Sequence, residues 1–136
     1  MTQLIDIGER RLIEEILKDY VTGDFGDDCA YIPHKNTGLV VTTDPVPIPA
    51  AKVIGGDCDP YWAGWLLVVI NASDLAAAGA QPLGFLAALD LEKEMSVSNF
   101  RRLLSGIKDA CRNEGLAYIG GNIRESHQFS ATGTAI

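Results

Sequence analysis

The sequence predicts an α+β domain, in which one mixed β-sheet carries helices packed on one side. Three observations support this fold class. The 136 residues are 47% apolar and 21% charged, which suits one compact domain with a single core. Apolar residues recur with helical spacing in two segments, and a third helical segment is apolar nearly all round. Short β-branched and apolar runs lie between turn residues, so that the elements follow the order α-β-β-α-β-α-β-β.

The first half of the chain predicts a helix, two strands and a loop. Asp6 and Glu9 form a D-x-x-E capping box, which predicts a helix as far as about Asp19. Strands are expected at 29–32 and at 39–43, the second ending in Asp44. Residues 45–56 contain three prolines and two glycines, and we expect a loop that does not join the sheet.

The second half predicts two helices and three strands. Asp59-Pro60 marks the start of a helix that runs to about Ala78, and this helix is apolar nearly all round, so it should be buried. Ile136 ends the sequence inside an apparent strand, and we expect the natural polypeptide to continue. The remaining elements are expected as a strand at 83–91, a helix capped by Ser96 or Ser98 and ended by Gly115, and strands at 116–119 and 129–136.

Charge and cysteine usage exclude several classes of function. The net charge of −7 and the pI of about 4.6 argue against nucleic-acid and anionic-membrane partners. The longest apolar stretch, 62–70, is too short to span a bilayer, and the N-terminus has no signal-peptide pattern. Cys29, Cys58 and Cys111 are far apart in sequence, which predicts reduced thiols and a cytoplasmic protein.

Aspartate and asparagine residues occur at the ends of several predicted elements. Asp27-Asp28 precede a strand, Asp44 follows one, and Asn122 follows another. Mg²⁺ takes about six hard oxygen ligands, usually one or two carboxylates with waters and substrate phosphates. These residues are therefore candidates for a magnesium site. The alternative is that each one only terminates a turn.

Asp74 favours the metal-site interpretation, because it lies within an otherwise apolar helix. Asn71 is three residues earlier and shares its face. A buried carboxylate without a partner is costly. The usual partners are a cation or hydrogen bonds from neighbouring backbone amides, and both stay open here. Gly120-Gly121 could expose backbone N–H groups to a phosphate, although a strand-end turn explains this dipeptide equally well.

Five short segments together resemble the aminoimidazole ribonucleotide synthetase superfamily, and within it the thiamine-monophosphate kinases most closely. They occur in the family's order and spacing across nearly the whole chain. The segments are Gly8-Glu9, Gly26-Asp27-Asp28-Cys29-Ala30, Val41-Thr42-Thr43-Asp44, Asn71-Ala72-Ser73-Asp74-Leu75-Ala76-Ala77-Ala78-Gly79-Ala80-Gln81-Pro82 and Ile119-Gly120-Gly121-Asn122.

The resemblance implies that residues 1–136 are a single N-terminal ATP- and Mg²⁺-binding domain, without the family's C-terminal domain. Its sheet would pair with that of a second subunit to form a β-barrel in a homodimer. ATP would be a substrate, and phosphate would pass to a small-molecule acceptor, as in the conversion of thiamine monophosphate to thiamine diphosphate. The implied metal ligands are Asp27, Asp28, Thr42, Thr43, Asp44 and Asp74, and the implied nucleotide-binding residues are Thr42, Thr43, Gly121 and Asn122.

Two positions depart from the kinase pattern. The kinases have Gly-Gly-Asp where this chain has Gly-Gly-Asn122, and the loop after Asp44 lacks their acidic residue and histidine. Two alternatives therefore stay open. The chain is a non-catalytic dimerising module that binds nucleotide, or it belongs to an enzyme that uses ATP to activate an amide or carboxamide oxygen.

Overall fold

In a computed structural model, the chain forms a five-stranded mixed sheet with two long helices across one face. The structure describes residues 3–22, 27–55 and 59–136. The strand order is β1-β2-β5-β3-β4, with β3 and β4 parallel and the other neighbours antiparallel. The strands are β1 (Ala30–His34), β2 (Thr37–Pro45), β3 (Gly84–Glu92), β4 (Ala117–Ser126) and β5 (Ser130–Ala135).

The helices in the second half of the chain begin and end where the sequence predicts. The side chain of Asp59 accepts a hydrogen bond from the Tyr61 N–H at 3.0 Å, and Ser96 accepts one from the Asn99 N–H at 3.1 Å. Gly115 ends the last helix in the left-handed conformation. The α-helices are α1 (Leu4–Ile7), α2 (Glu9–Arg11), α3 (Ile48–Gly55), α4 (Tyr61–Ala77) and α5 (Val97–Glu114).

The predicted N-terminal helix is broken into short pieces. Gly8 separates α1 from α2 with a φ of +80°, and a π-helical turn and a 3₁₀ turn continue the segment to Asp19. The predicted capping box was wrong by one turn, because the Asp6 carboxylate accepts from the Gln3 N–H at 2.8 Å.

The predicted loop at 45–56 was also wrong, because it contains the helix α3. Pro47 and Pro49 lie at its first turn, where a helix has no need of the missing N–H. This short helix packs against α4.

The core lies between the helices and one face of the sheet. Alternate residues of β3 and β5, among them Phe85, Ala87, Leu89 and Ala131, are buried in one cluster with residues of α4 and α5. Among the described residues, no helix packs on the other face of the sheet. Leu39 of β2 lies on that face and is 38% exposed. The helices therefore cover one side only, as predicted. Within the described ranges, none of the helices has the length and apolar character needed to cross a membrane.

Candidate metal- and phosphate-binding site

Strand β2 and helix α4 bring two of the predicted metal ligands together. Side chains alternate along β2, so Thr42 and Asp44 both point towards α4. The Thr42 hydroxyl is buried and donates a hydrogen bond to Oδ2 of Asp74 at 2.9 Å. The strand end and the helix therefore meet at a cluster that contains both carboxylates.

The carboxyl groups of Asp44 and Asp74 are in direct contact. Burial raises the pKa of Asp44, and the hydrogen-bonding contact with Asp74, the charge of Asp74 and the charge of Asp28 raise this pKa further. Each of these causes disfavours a second negative charge in the same place. A divalent cation would remove the repulsion.

Asp27 and Asp28 lie near this pair, just before β1. The pKa of the Cys29 thiol is raised by burial first, and then by the charges of Asp74, Asp27, Asp28 and Asp44. All four aspartates therefore affect the same thiol group. The Asp28 N–H donates to Oδ1 of Asp27 at 2.8 Å. Gly26, which precedes them in the motif, lies outside the described residues.

The negative charge of the cluster has no balancing side chain in the described parts of the chain. The ion pairs found there use other carboxylates, such as Asp59 and Asp90. In the same ranges, no three His, Cys, Asp or Glu side chains are arranged to hold a metal ion by themselves. A pair of touching carboxylates, with Asp28 acting at longer range, instead fits Mg²⁺, which takes most of its remaining ligands from water and phosphates.

The structure does not bring Thr43 into this cluster. Its hydroxyl lies on the open face of the sheet, where it donates to the Gly133 carbonyl at 2.8 Å and lies 3.2 Å from the Thr134 hydroxyl. Neighbouring residues of a strand point to opposite faces, so Thr42 and Thr43 cannot both reach Asp74 through their side chains. A ligand role for the Thr43 side chain stays a prediction without structural support.

Gly121 and Asn122 lie within β4, so the expected end of this strand at Ile119 was wrong. Gly121 is level with Asp44 across the sheet, but β5 and β3 lie between them. Three strand spacings of about 4.8 Å place them roughly 14 Å apart. A Cβ on Gly121 would overlap the Ala87 carbonyl oxygen, so this position requires glycine for packing alone. Asn122 aligns with Ala88 and points to the open face.

One residue of the cluster had no assigned role in the sequence analysis. Asn71 is fully buried, and its amide bonds the main chain of Asp44. Its position three residues before Asp74 placed it on the correct face, but its partner on β2 had no signal in the sequence.

Cysteines contribute no disulfide among the described residues. Cys29 and Cys111 are free thiols, and burial raises the pKa of Cys111 to about 11. Cys58 lies outside the described ranges.

Known proteins resemble both the sequence and the fold. A thiamine-monophosphate kinase of Aquifex aeolicus is 31% identical over 127 residues, which cover 93% of this chain and 41% of that protein. One of Archaeoglobus fulgidus is 33% identical over 138 residues, covering 98% and 43%. The solved structure of AaThiL complexed with AMPPCP and TMP matches with a TM-score of 0.88 at 28% identity, covering 99% of this chain and 43% of that one.

The chain thus spans about two fifths of the length of these relatives. The family model described as AIR synthase related protein, N-terminal domain, matches residues 26–136, which include every element from β1 to β5 and the whole aspartate cluster. The chain belongs to this family.

Proposed function

We propose that the chain is the N-terminal, ATP- and Mg²⁺-binding domain of a phosphotransferase that resembles thiamine-monophosphate kinase. The observation that carries this proposal is the pairing of the Asp44 and Asp74 carboxylates, which the hydrogen bond from Thr42 to Asp74 fixes on one face of β2. Two like charges from separate elements, without a balancing cation among the described residues, suit a site that binds a metal ion with its phosphate ligands. The relatives named above support the choice of reaction.

The carboxylates of Asp44 and Asp74 would hold Mg²⁺, with Asp28 and Asp27 as further ligands or as partners of bound water. When bound, the ion would offset negative charge on the transferred γ-phosphoryl group. Thr42 orients the Asp74 carboxylate through its hydrogen bond. The protein therefore contributes positioning and charge.

The nucleotide contacts are the less constrained part of this proposal. Thr42 adjoins the carboxylate pair, whereas Thr43, Gly121 and Asn122 belong to the open face or to the far edge of the sheet. Contacts from Gly121 and Asn122 to phosphates would then require a nucleotide that extends across the sheet, away from Asp44.

We also propose that the open face pairs with that of a second copy to form a β-barrel. Ile32 is 50% exposed and Leu39 is 38% exposed, and these two residues face each other on β1 and β2. A sheet face with exposed apolar side chains favours burial against a partner. A two-fold homodimer would provide that partner.

A second domain would complete the active site and bind the acceptor. The relatives are more than twice as long as this chain, which supports the proposal. A thiamine-monophosphate acceptor would give thiamine diphosphate as the product.

A non-catalytic dimerising module is the second candidate. The neutral side chain of Asn122, on the open face, favours it, because a family carboxylate is replaced there by an amide. The two candidates differ in whether the full-length protein transfers phosphate from ATP to an acceptor.

A phosphate-transfer assay on the full-length protein tests the proposed enzyme. ATP labelled in the γ-phosphate and thiamine monophosphate should give labelled thiamine diphosphate, and Asp44→Asn or Asp74→Asn should abolish it. Asp19→Asn, an exposed aspartate outside the cluster, is the matched control. A wild-type protein that binds ATP and transfers no phosphate would favour the module.

A further inference from the structure

Asn71 is a fully buried amide at the point where α4 crosses the end of β2. Its Oδ1 accepts a hydrogen bond from the Asp44 N–H at 3.0 Å. Its Nδ2 donates to the Leu67 carbonyl at 2.8 Å and, more weakly, to the Asp44 carbonyl at 3.4 Å. One side chain therefore bonds both main-chain polar groups of Asp44 and anchors them to the helix.

This amide supplies hydrogen-bond partners at a point where β1 has already ended. Strand β1 pairs with β2 only as far as Val41, so Asp44 lies beyond the end of β1. An unpaired main-chain N–H at this half-buried position would be costly. Asn71 supplies a partner for this N–H and fixes the backbone of Asp44 in one place.

Gly133 makes room for this arrangement. It is the partner of Asp44 on β5, and a Cβ added there would lie 2.5 Å from Nδ2 of Asn71. The same Cβ would lie 2.8 Å from the Phe85 ring. The space above the Asp44–Gly133 pair is therefore filled by the amide of Asn71.

The anchoring matters because β2 and α4 bring the like-charged carboxylates of Asp44 and Asp74 to the same side of the sheet, where Thr42 bonds Asp74. A free strand end could relieve the repulsion between them by moving away from the helix. Asn71 opposes this movement through the main chain, and it makes no hydrogen bond to the Asp44 carboxylate. Asn71 therefore occupies neither carboxylate oxygen of Asp44.

We propose that Asn71 is a positioning residue, which holds the Asp44 carboxylate next to that of Asp74 and so sets the affinity for the metal–nucleotide complex. This inference rests on the proposed function of the same site. Residues that orient metal ligands from behind typically change metal affinity by about 10–100-fold when they are removed.

The test compares Asn71→Ala with two other variants of the same chain. Leu103→Ala removes a fully buried side chain of α5 away from the cluster, so it controls for a general loss of packing. Asp44→Asn removes the ligand itself. Asn71→Ser is the milder variant to use if Asn71→Ala does not fold.

Two readouts separate positioning from a structural role. Mn²⁺ titrated in the presence of ATP, followed by water-proton relaxation, reports the affinity for the metal–nucleotide complex. Hydrogen exchange at the Asp44 amide reports the anchor directly. We expect Asn71→Ala to weaken Mn²⁺–ATP binding at least about tenfold and to speed exchange at Asp44, with Leu103→Ala within about twofold of the wild type in both.

The other outcomes overturn the inference in distinguishable ways. Faster exchange in Asn71→Ala with unchanged Mn²⁺–ATP affinity, or equal weakening in Leu103→Ala, would show that Asn71 only supports the fold. Loss of binding in Asp44→Asn but not in Asn71→Ala would remove the inference and leave the proposed function standing. A wild-type chain that binds no Mn²⁺–ATP would remove both.

Discussion

Replacement of Asp44 by asparagine should stabilise the metal-free fold while it removes metal binding. The carboxyl groups of Asp44 and Asp74 are in contact, and no ion pair of the described residues includes either one. The Asp44 main chain, which Asn71 bonds, is unchanged in this variant. The substitution therefore removes one repelling charge at nearly constant shape.

The size of the effect follows from Coulomb's law. Two unit charges about 4 Å apart interact by about 4 kcal/mol at an effective dielectric constant of about 20. Both side chains are partly exposed, so water screens them, and we expect a gain of about 1–2 kcal/mol in the free energy of unfolding. For a domain of this size, that gain raises the Tm by roughly 3–10 °C.

The pH dependence has a definite sign. The folded-state pKa of Asp44 is raised above its unfolded value. The protonated form therefore stabilises the metal-free fold at low pH, and this contribution is lost as the pH rises through the folded-state pKa. Asp44→Asn should remove the contribution, so the stability difference between variant and wild type should grow as the pH rises.

Thermal unfolding with and without Mg²⁺ and ATP measures both effects. The wild type should gain stability from Mg²⁺–ATP. Asp44→Asn should have a higher Tm than the wild type in the absence of Mg²⁺–ATP, and should gain little when Mg²⁺–ATP is added. Asp19→Asn should match the wild type within about 0.5 kcal/mol in both conditions. Equal metal-free stability of Asp44→Asn and wild type, with equal gains from Mg²⁺–ATP, would refute the repulsion argument.

Three further predictions follow from the same structure. Gly133→Ala should lower the free energy of unfolding, measured in urea, by at least about 2 kcal/mol, because the added Cβ would meet Asn71 and Phe85. A loss below about 0.5 kcal/mol would contradict this packing. Arg102 holds the pKa of Asp59 below its usual range, a stabilisation present above the unfolded pKa and lost as the pH falls through the folded pKa. Arg102→Met should therefore make stability less sensitive to acid, and an unchanged acid limb would count against the pair. Leu39→Arg on the open face should turn a dimer into a monomer in light scattering, whereas a persistent dimer would place the interface elsewhere.

Much of the fold could be predicted because its elements have strong local signals. Helix α5 shows helical spacing with a cap at Ser96, α4 is an apolar run that begins after Asp59-Pro60, and β2 and β3 are apolar runs between turn residues. The position of β5 between β2 and β3 could not be predicted, because non-local pairing has no local signature. Helix α3 was missed because prolines suggest a loop, although the first turn of a helix accepts them.

The candidate site could also be predicted in part, where its residues have local signals in the sequence. The convergence of Asp44 and Asp74 followed from carboxylates at a strand end and within a buried helix. The period of two along a strand could already have separated Thr42 from Thr43, since adjacent residues face opposite sides. Asn122 was grouped with the aspartates because it follows a predicted strand, whereas the sheet order puts its neighbour Gly121 roughly 14 Å from Asp44.

Calorimetric titration of ATP into the 136-residue chain, with and without Mg²⁺, tests the central claim most directly. The claim is that aspartates from separate elements hold a metal ion and the phosphates of a nucleotide. It predicts weak binding that requires Mg²⁺, that is lost in Asp74→Asn and that is kept in Asp19→Asn. Binding that is absent in the wild type, independent of Mg²⁺, or unchanged in Asp74→Asn would contradict it.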